Sequence, residues 1–110
     1  MGEQILAKNG EPKFAWLSLL AAAYYRINQN EKALEKLRQL EELAQTDTKA
    51  FYSLAMNYTE FNRIDEAIWT LQKCFEMREE RMVWINVEPR LANLKSDTRF
   101  QEIVQRIGLQ

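Results

Sequence analysis

The sequence predicts an all-α fold built from stacked helical hairpins, and two observations carry the prediction. The pattern Leu17, Leu20, Ala21, Tyr24, then Ala33, Leu37, Leu40 returns 34 residues later as Phe51, Leu54, Ala55, Tyr58, then Ala67, Leu71, Cys74. Within each copy the apolar residues recur at helical spacing, and a polar break at Asn28-Gln29-Asn30 divides the first copy into two helices. A unit of that length and shape cannot bury its apolar face alone, so it must stack on its neighbours.

The chain opens with a short helical piece over 3–8 that ends at Asn9-Gly10, a pair suited to the left-handed backbone at a helix C-terminus. Pro12 restarts it, because proline lacks only an N–H that the first helical turn leaves unbonded anyway. From there to about Ile27 the helix is apolar on nearly every side, with Phe14, Trp16, Leu17, Leu19, Leu20 and Tyr24 among its residues. A helix of this kind is expected to be covered all round.

Residues 31–43 form the second helix, with Ala33, Leu34, Leu37, Leu40 and Leu43 in one stripe and charges opposite. Thr46-Asp47-Thr48 caps a third helix, about Lys49 to Phe61, and Asp65 caps a fourth, about Glu66 to Met77. Asn28 and Asn62 occupy equivalent turn positions, and asparagine tolerates positive φ better than most residues. Where the two helices of a unit cross, Ala21 faces Ala33 and Ala55 faces Ala67, small residues that allow close approach of the axes.

A third unit begins and is cut short. Glu80 to Val87 starts a helix that Glu88-Pro89 ends. A short turn follows over Pro89–Leu94, and Ser96-Asp97 caps a last helix with Phe100, Ile103, Val104 and Ile107 on its apolar face and Gly108 at its end.

Composition limits the function classes. The chain has 110 residues, 46% of them hydrophobic, with 15 basic and 16 acidic residues and a net charge of -1. There is no basic footprint of the kind that nucleic acid or an anionic membrane selects, so neither partner is expected. The longest apolar run, Phe14 to Tyr25, is interrupted by Ser18 and falls short of the roughly 20 residues that a membrane span needs. The N-terminus lacks the character of a secretory signal, and Leu6 stands where myristoylation wants Ser or Thr, so Met1-Gly2 reads as an added start and the chain as a piece of a longer protein. Its single cysteine, Cys74, permits a reducing compartment, and a cytoplasmic location is expected. Histidine is absent, three glycines are scattered, and no nucleophile motif occurs, so neither an enzyme nor a metal or cofactor site is expected.

The two 34-residue units resemble tetratricopeptide repeats at each hallmark position except the closing proline, where Gln45 and Glu79 stand. The resemblance implies an α-α superhelix with repeats at 14–47 and 48–81, preceded by a remnant at 1–13 and followed by a truncated unit and capping helices at 82–110. The ending from Trp84 to Phe100, with Ile107-Gly108-Leu109, is similar to the closing segment of such repeats in bacterial multidomain regulators, though Thr98 replaces the usual proline. In this family the first helix of each unit lines a concave groove that binds a partner protein or an extended peptide. Those positions fall on Ala15, Ser18, Leu19, Ala22, Tyr25 and Arg26, then on Lys49, Tyr52, Ser53, Met56, Thr59 and Glu60, and the expected partner contacts are Tyr25, Arg26, Lys49, Tyr52, Ser53 and Met56. Tyr25, Tyr52 and Met56 would form an apolar floor, while Arg26 and Lys49 would meet acidic groups. Leu19 and Ser53 stand where chaperone-tail binders carry asparagine, which disfavours that ligand.

The alternative is self-association, or packing on the rest of its own chain, through the apolar first helix. Trp16 and Trp84 lie in apolar stripes and are expected in the core, whereas Trp69 is the least obliged to be buried and would mark a convex contact site if exposed. Cys74 is expected to be a buried small hydrophobe. Glu41-Glu42 and Glu79-Glu80-Arg81 read as solvated turns.

Overall fold

The computed structural model describes residues 13–108, and every regular element among them is helical. In order these are α1 (Lys13–Arg26), α2 (Asn30–Ala44), α3 (Ala50–Glu60) and α4 (Ile64–Glu76), two 3-10 segments at Glu80–Trp84 and Pro89–Leu94, and α5 (Thr98–Gly108). The expected helix over 3–8, the Asn9-Gly10 turn, the start at Pro12 and Leu109 lie outside the described residues. None of the described helices is long and apolar enough to cross a membrane.

Each hairpin turn is made in the same way. Asn28 has φ 63°, its N–H donates to the Tyr25 carbonyl at 3.1 Å, and the Gln29 N–H donates to that of Tyr24 at 2.9 Å. One repeat later Asn62 has φ 61°, with bonds to Thr59 at 3.1 Å and from Arg63 to Tyr58 at 2.7 Å. This pairing satisfies carbonyls that a helix end leaves open, and asparagine adopts the left-handed region at small cost. The exits of the hairpins differ. Gln45 after α2 keeps right-handed helical geometry, whereas α4 ends in a third left-handed turn at Arg78, φ 57°, which was not foreseen.

Ala21, Ala33, Ala55 and Ala67 are all fully buried, as their place at the helix crossings requires. Helix α3 is the centre of the molecule. It packs on α4, α1, α2 and the second 3-10 segment, and residues 52–59 are all buried. Helix α1 is not covered all round. Leu19 is 55% exposed, Ile27 64% and Leu34 on α2 46%, although their counterparts 34 residues on, Ser53, Phe61 and Ile68, are buried.

Of the three expected caps, the one at Asp97 forms, its Oδ1 accepting from the Arg99 N–H at 2.8 Å. Asp47 Oδ1 accepts from the Lys49 N–H at 3.1 Å in the turn before α3, whose first turn has no side-chain cap. Asp65 does not cap α4. The left-handed Asn62 turns the chain so that the helix begins at Ile64, which leaves Asp65 exposed in the first turn. The last helix also includes Gly108 instead of stopping before it.

The third unit departs most from expectation, because its first two pieces are 3-10 and not α-helical. At three residues per turn the inward positions are i and i+3, and the buried pairs are Met82 with Ile85 and Leu91 with Leu94. Trp84 therefore points out, 63% exposed, with Val83 and Val87 beside it. Trp16 is buried as expected.

The closing segment follows a nine-residue rule. Glu79-Glu80-Arg81-Met82, Glu88-Pro89-Arg90-Leu91 and Asp97-Thr98-Arg99-Phe100 share one form, an acidic residue, a spacer, an arginine and a large apolar residue. In each the acidic side chain accepts from the arginine N–H, at 2.8, 3.2 and 2.8 Å. The buried residues fall three and six places after each acidic residue, completed by Phe100 and Ile103. The three arginine side chains then reach back, Arg81 to the Lys49 carbonyl at 2.8 Å, Arg90 to Glu60 at 2.8 Å and Arg99 to Asp65 at 3.0 Å.

Candidate interaction surface

The face expected to form an open groove is largely filled by the chain itself. Tyr52 is 4% exposed, Ser53 1% and Met56 9%, so none of the three forms an accessible floor. Helix α3, which carries them, lies between α1 and the second 3-10 segment. Their burial thus depends on where residues 80–94 fold, a contact that no spacing within α3 encodes.

Two arginine clusters close this face. At one end the Arg81 guanidinium lies 4.7 Å from the centroid of the Tyr52 ring and 5.4 Å from that of Phe14. It is also paired with Glu79 at 2.6 Å. Such stacking of a guanidinium on aromatic rings is favourable and orients its remaining donors. The Arg81 hydrogen bond holds the Glu79 carboxyl below its usual range, and burial, with Glu88 nearby, pushes the Tyr52 hydroxyl up to about 12. Glu79 is therefore a cap and an ion-pair partner, not the solvated turn residue expected.

At the other end Arg90 bonds Glu60 with two nitrogens, Nε to Oε2 at 2.9 Å and Nη2 to Oε1 at 2.8 Å, and donates from Nη2 to Ser18 Oγ at 3.0 Å. Asn57 Nδ2 donates to the Ser18 carbonyl at 3.0 Å and to Glu60 Oε1 at 3.3 Å. Arg90 and Glu60 side chains are only 17% and 16% exposed, so the two-pronged pair that links α1, α3 and the closing segment is largely shielded from water.

What stays accessible is Tyr25, Arg26 and Lys49. Tyr25 stacks on Phe61 with centroids 4.4 Å apart. Arg26, well exposed, lies 3.7 Å from Glu60 and borders a cavity of about 230 Å³ shared with Pro89 and Arg90. Tyr25 and Arg26 come together at the C-terminal end of α1, while Lys49 stands at the opposite end of α3, so the six expected residues do not converge on one site.

The chemistry on offer is electrostatic and apolar contact. Cys74 is fully buried, and desolvation pushes its thiol up to about 12, far from a nucleophilic thiolate. Among the described residues no group of three His, Cys, Asp or Glu side chains is placed to hold a metal ion. Arg81 and Arg90, which organise the face, were missed in the sequence; the signal that would have found them is the acidic-spacer-arginine triplet recurring every nine residues.

No family model, curated protein or solved structure matches this chain.

Proposed function

We propose that this chain is a non-enzymatic protein–protein interaction module of the tetratricopeptide kind, carried by a larger bacterial regulatory protein of the cytoplasm. It associates with a second copy of itself through the open face of its first hairpin. The observation that carries the reading is the unequal burial of equivalent residues. Ser53, Phe61 and Ile68 are covered by neighbouring helices, while Leu19, Ile27 and Leu34 present an apolar strip to solvent. A strip of this kind, repeated on two copies, makes a self-complementary contact about a twofold axis.

Sedimentation equilibrium over a wide range of concentration tests it, comparing wild type with Leu19→Glu plus Ile27→Glu. A reversible dimer that the double variant abolishes is expected. A wild type that stays monomeric throughout refutes self-association.

A second reading lays an extended acidic peptide over the filled face, favoured by the exposure of Arg26 beside the small cavity and by exposed Lys49. Peptide capture that survives Arg26→Glu plus Lys49→Glu would exclude it.

A further inference from the structure

A cavity of about 450 Å³ opens where α2, α3 and α4 meet, bounded by faces of these helices that carry neither the Arg90 pair nor the first hairpin's open strip. Its volume is in the range of sites that take a small ligand or a single large side chain. Phe51, Leu54 and the ring of Trp69 give it apolar walls, and Trp69 is 55% exposed although it is a large aromatic on an otherwise well-packed hairpin. Glu41, Asp65 and Glu66 line it too, and no basic residue does among the described residues. An apolar slot with three carboxylates at its border is complementary to a long side chain with an aliphatic stem and a cationic head.

We propose that this cavity binds a lysine or arginine side chain on a basic segment of a partner protein. The stem lies along Phe51, Leu54 and Trp69, and the head meets the carboxylates. The ring of Trp69 already accepts a cation in this fold, since Lys73 Nζ lies 5.3 Å from its centroid. Each carboxylate already has a partner, and two of the three pairs are exposed ion pairs. Glu41 Oε2 accepts from the Tyr58 hydroxyl at 2.5 Å, Glu66 is 3.9 Å from Arg63, and Asp65, 91% exposed, is 3.0 Å from Arg99. The Tyr58 bond fixes Glu41 at the wall, and the exposed pairs at Glu66 and Asp65 are weak enough to exchange partners. The site is separate from the self-association surface and does not depend on it.

The test is fluorescence anisotropy with three labelled peptides of one length, alternating leucine with lysine, glutamine or glutamate. The indole N–H resonance of Trp69 is followed in parallel by heteronuclear NMR. The lysine peptide is expected to bind, to shift that resonance, and to weaken as salt is added. Trp69→Ala is expected to lower its affinity by about tenfold, as is Glu41→Gln combined with Glu66→Gln, a pair that preserves shape and hydrogen bonding. Leu19→Glu, on α1, which contributes none of the described lining residues, is expected to leave binding unchanged. The proposal is overturned if the lysine peptide leaves the Trp69 resonance in place, if the glutamine or glutamate peptide binds as tightly, or if Trp69→Ala binds like wild type. It is overturned equally if the cavity proves to hold a second copy of the chain, seen as a dimer that Trp69→Ala dissolves.

Discussion

Replacing Arg90 by methionine removes the cation while keeping most of the stem that packs under it. The variant leaves Glu60, 16% exposed at its side chain, without its two-pronged partner, and Ser18 Oγ without a donor at 3.0 Å. Breaking a fully buried ion pair costs about 3–5 kcal/mol, and a hydrogen bond to a charged group contributes about 1.5–3 kcal/mol. Here water retains partial access, and Arg26, already 3.7 Å from Glu60, offers some compensation. The expected loss is therefore about 2–4 kcal/mol, a large part of the roughly 5–15 kcal/mol that holds a domain together. Urea unfolding followed by far-UV circular dichroism measures it. Glu60→Gln in the Arg90→Met background completes a double-mutant cycle, with an expected coupling of about 1–3 kcal/mol because the neutral amide no longer needs the cation. Arg90→Lys should fall between, since one ammonium cannot reproduce the fork. A methionine variant within about 0.5 kcal/mol of wild type, or additive single effects, would refute the assignment of Arg90 as the fastening of the closing segment.

Leucine at Ala33 or Ala67 should overfill a crossing with no free space and cost about 1–3 kcal/mol in the same assay. Arg78→Gly should raise the unfolding midpoint by about 0.5–1 kcal/mol equivalent, because an arginine in the left-handed region is strained and glycine is not; Asn28→Gly, where asparagine already tolerates the geometry, should change little. Glu79 has a folded pKa below its unfolded value, so its contribution is fully present above the unfolded pKa and is lost as pH falls through the folded one. The stability gap between wild type and Glu79→Gln should accordingly close as the pH drops below about 4.3, and a gap constant down to strong acid would contradict the Arg81 pairing.

The four long helices were legible because each carries enough turns for its apolar stripe to declare a period, and the hairpin turns because asparagine recurs where left-handed backbone is needed. Cys74 fell where expected for the same reason, and Trp69, the least obliged of the three tryptophans to be buried, is exposed. Trp84 did not fall where expected, since a stripe judged at 3.6 residues per turn misplaces a segment that winds at three. The asymmetric cover of α1, and the burial of Tyr52, Ser53 and Met56, depend on which segments lie across them. Helix α3 supplies positions that look the same whether a groove or a neighbour stands opposite. Only the third unit decides, and its own rule is written at a spacing of nine, not 34.

The bond from Arg90 to Ser18 joins residues 72 apart in the chain, while the hairpins are closed by bonds between near neighbours. Contacts local in sequence form early and distant ones late, because the intervening loop must first be shortened by folding. The arginine straps are thus expected to form after the hairpins. Weakening Arg90 should leave the refolding rate nearly untouched and speed unfolding, which makes the closing segment the element that sets the lifetime of the folded molecule.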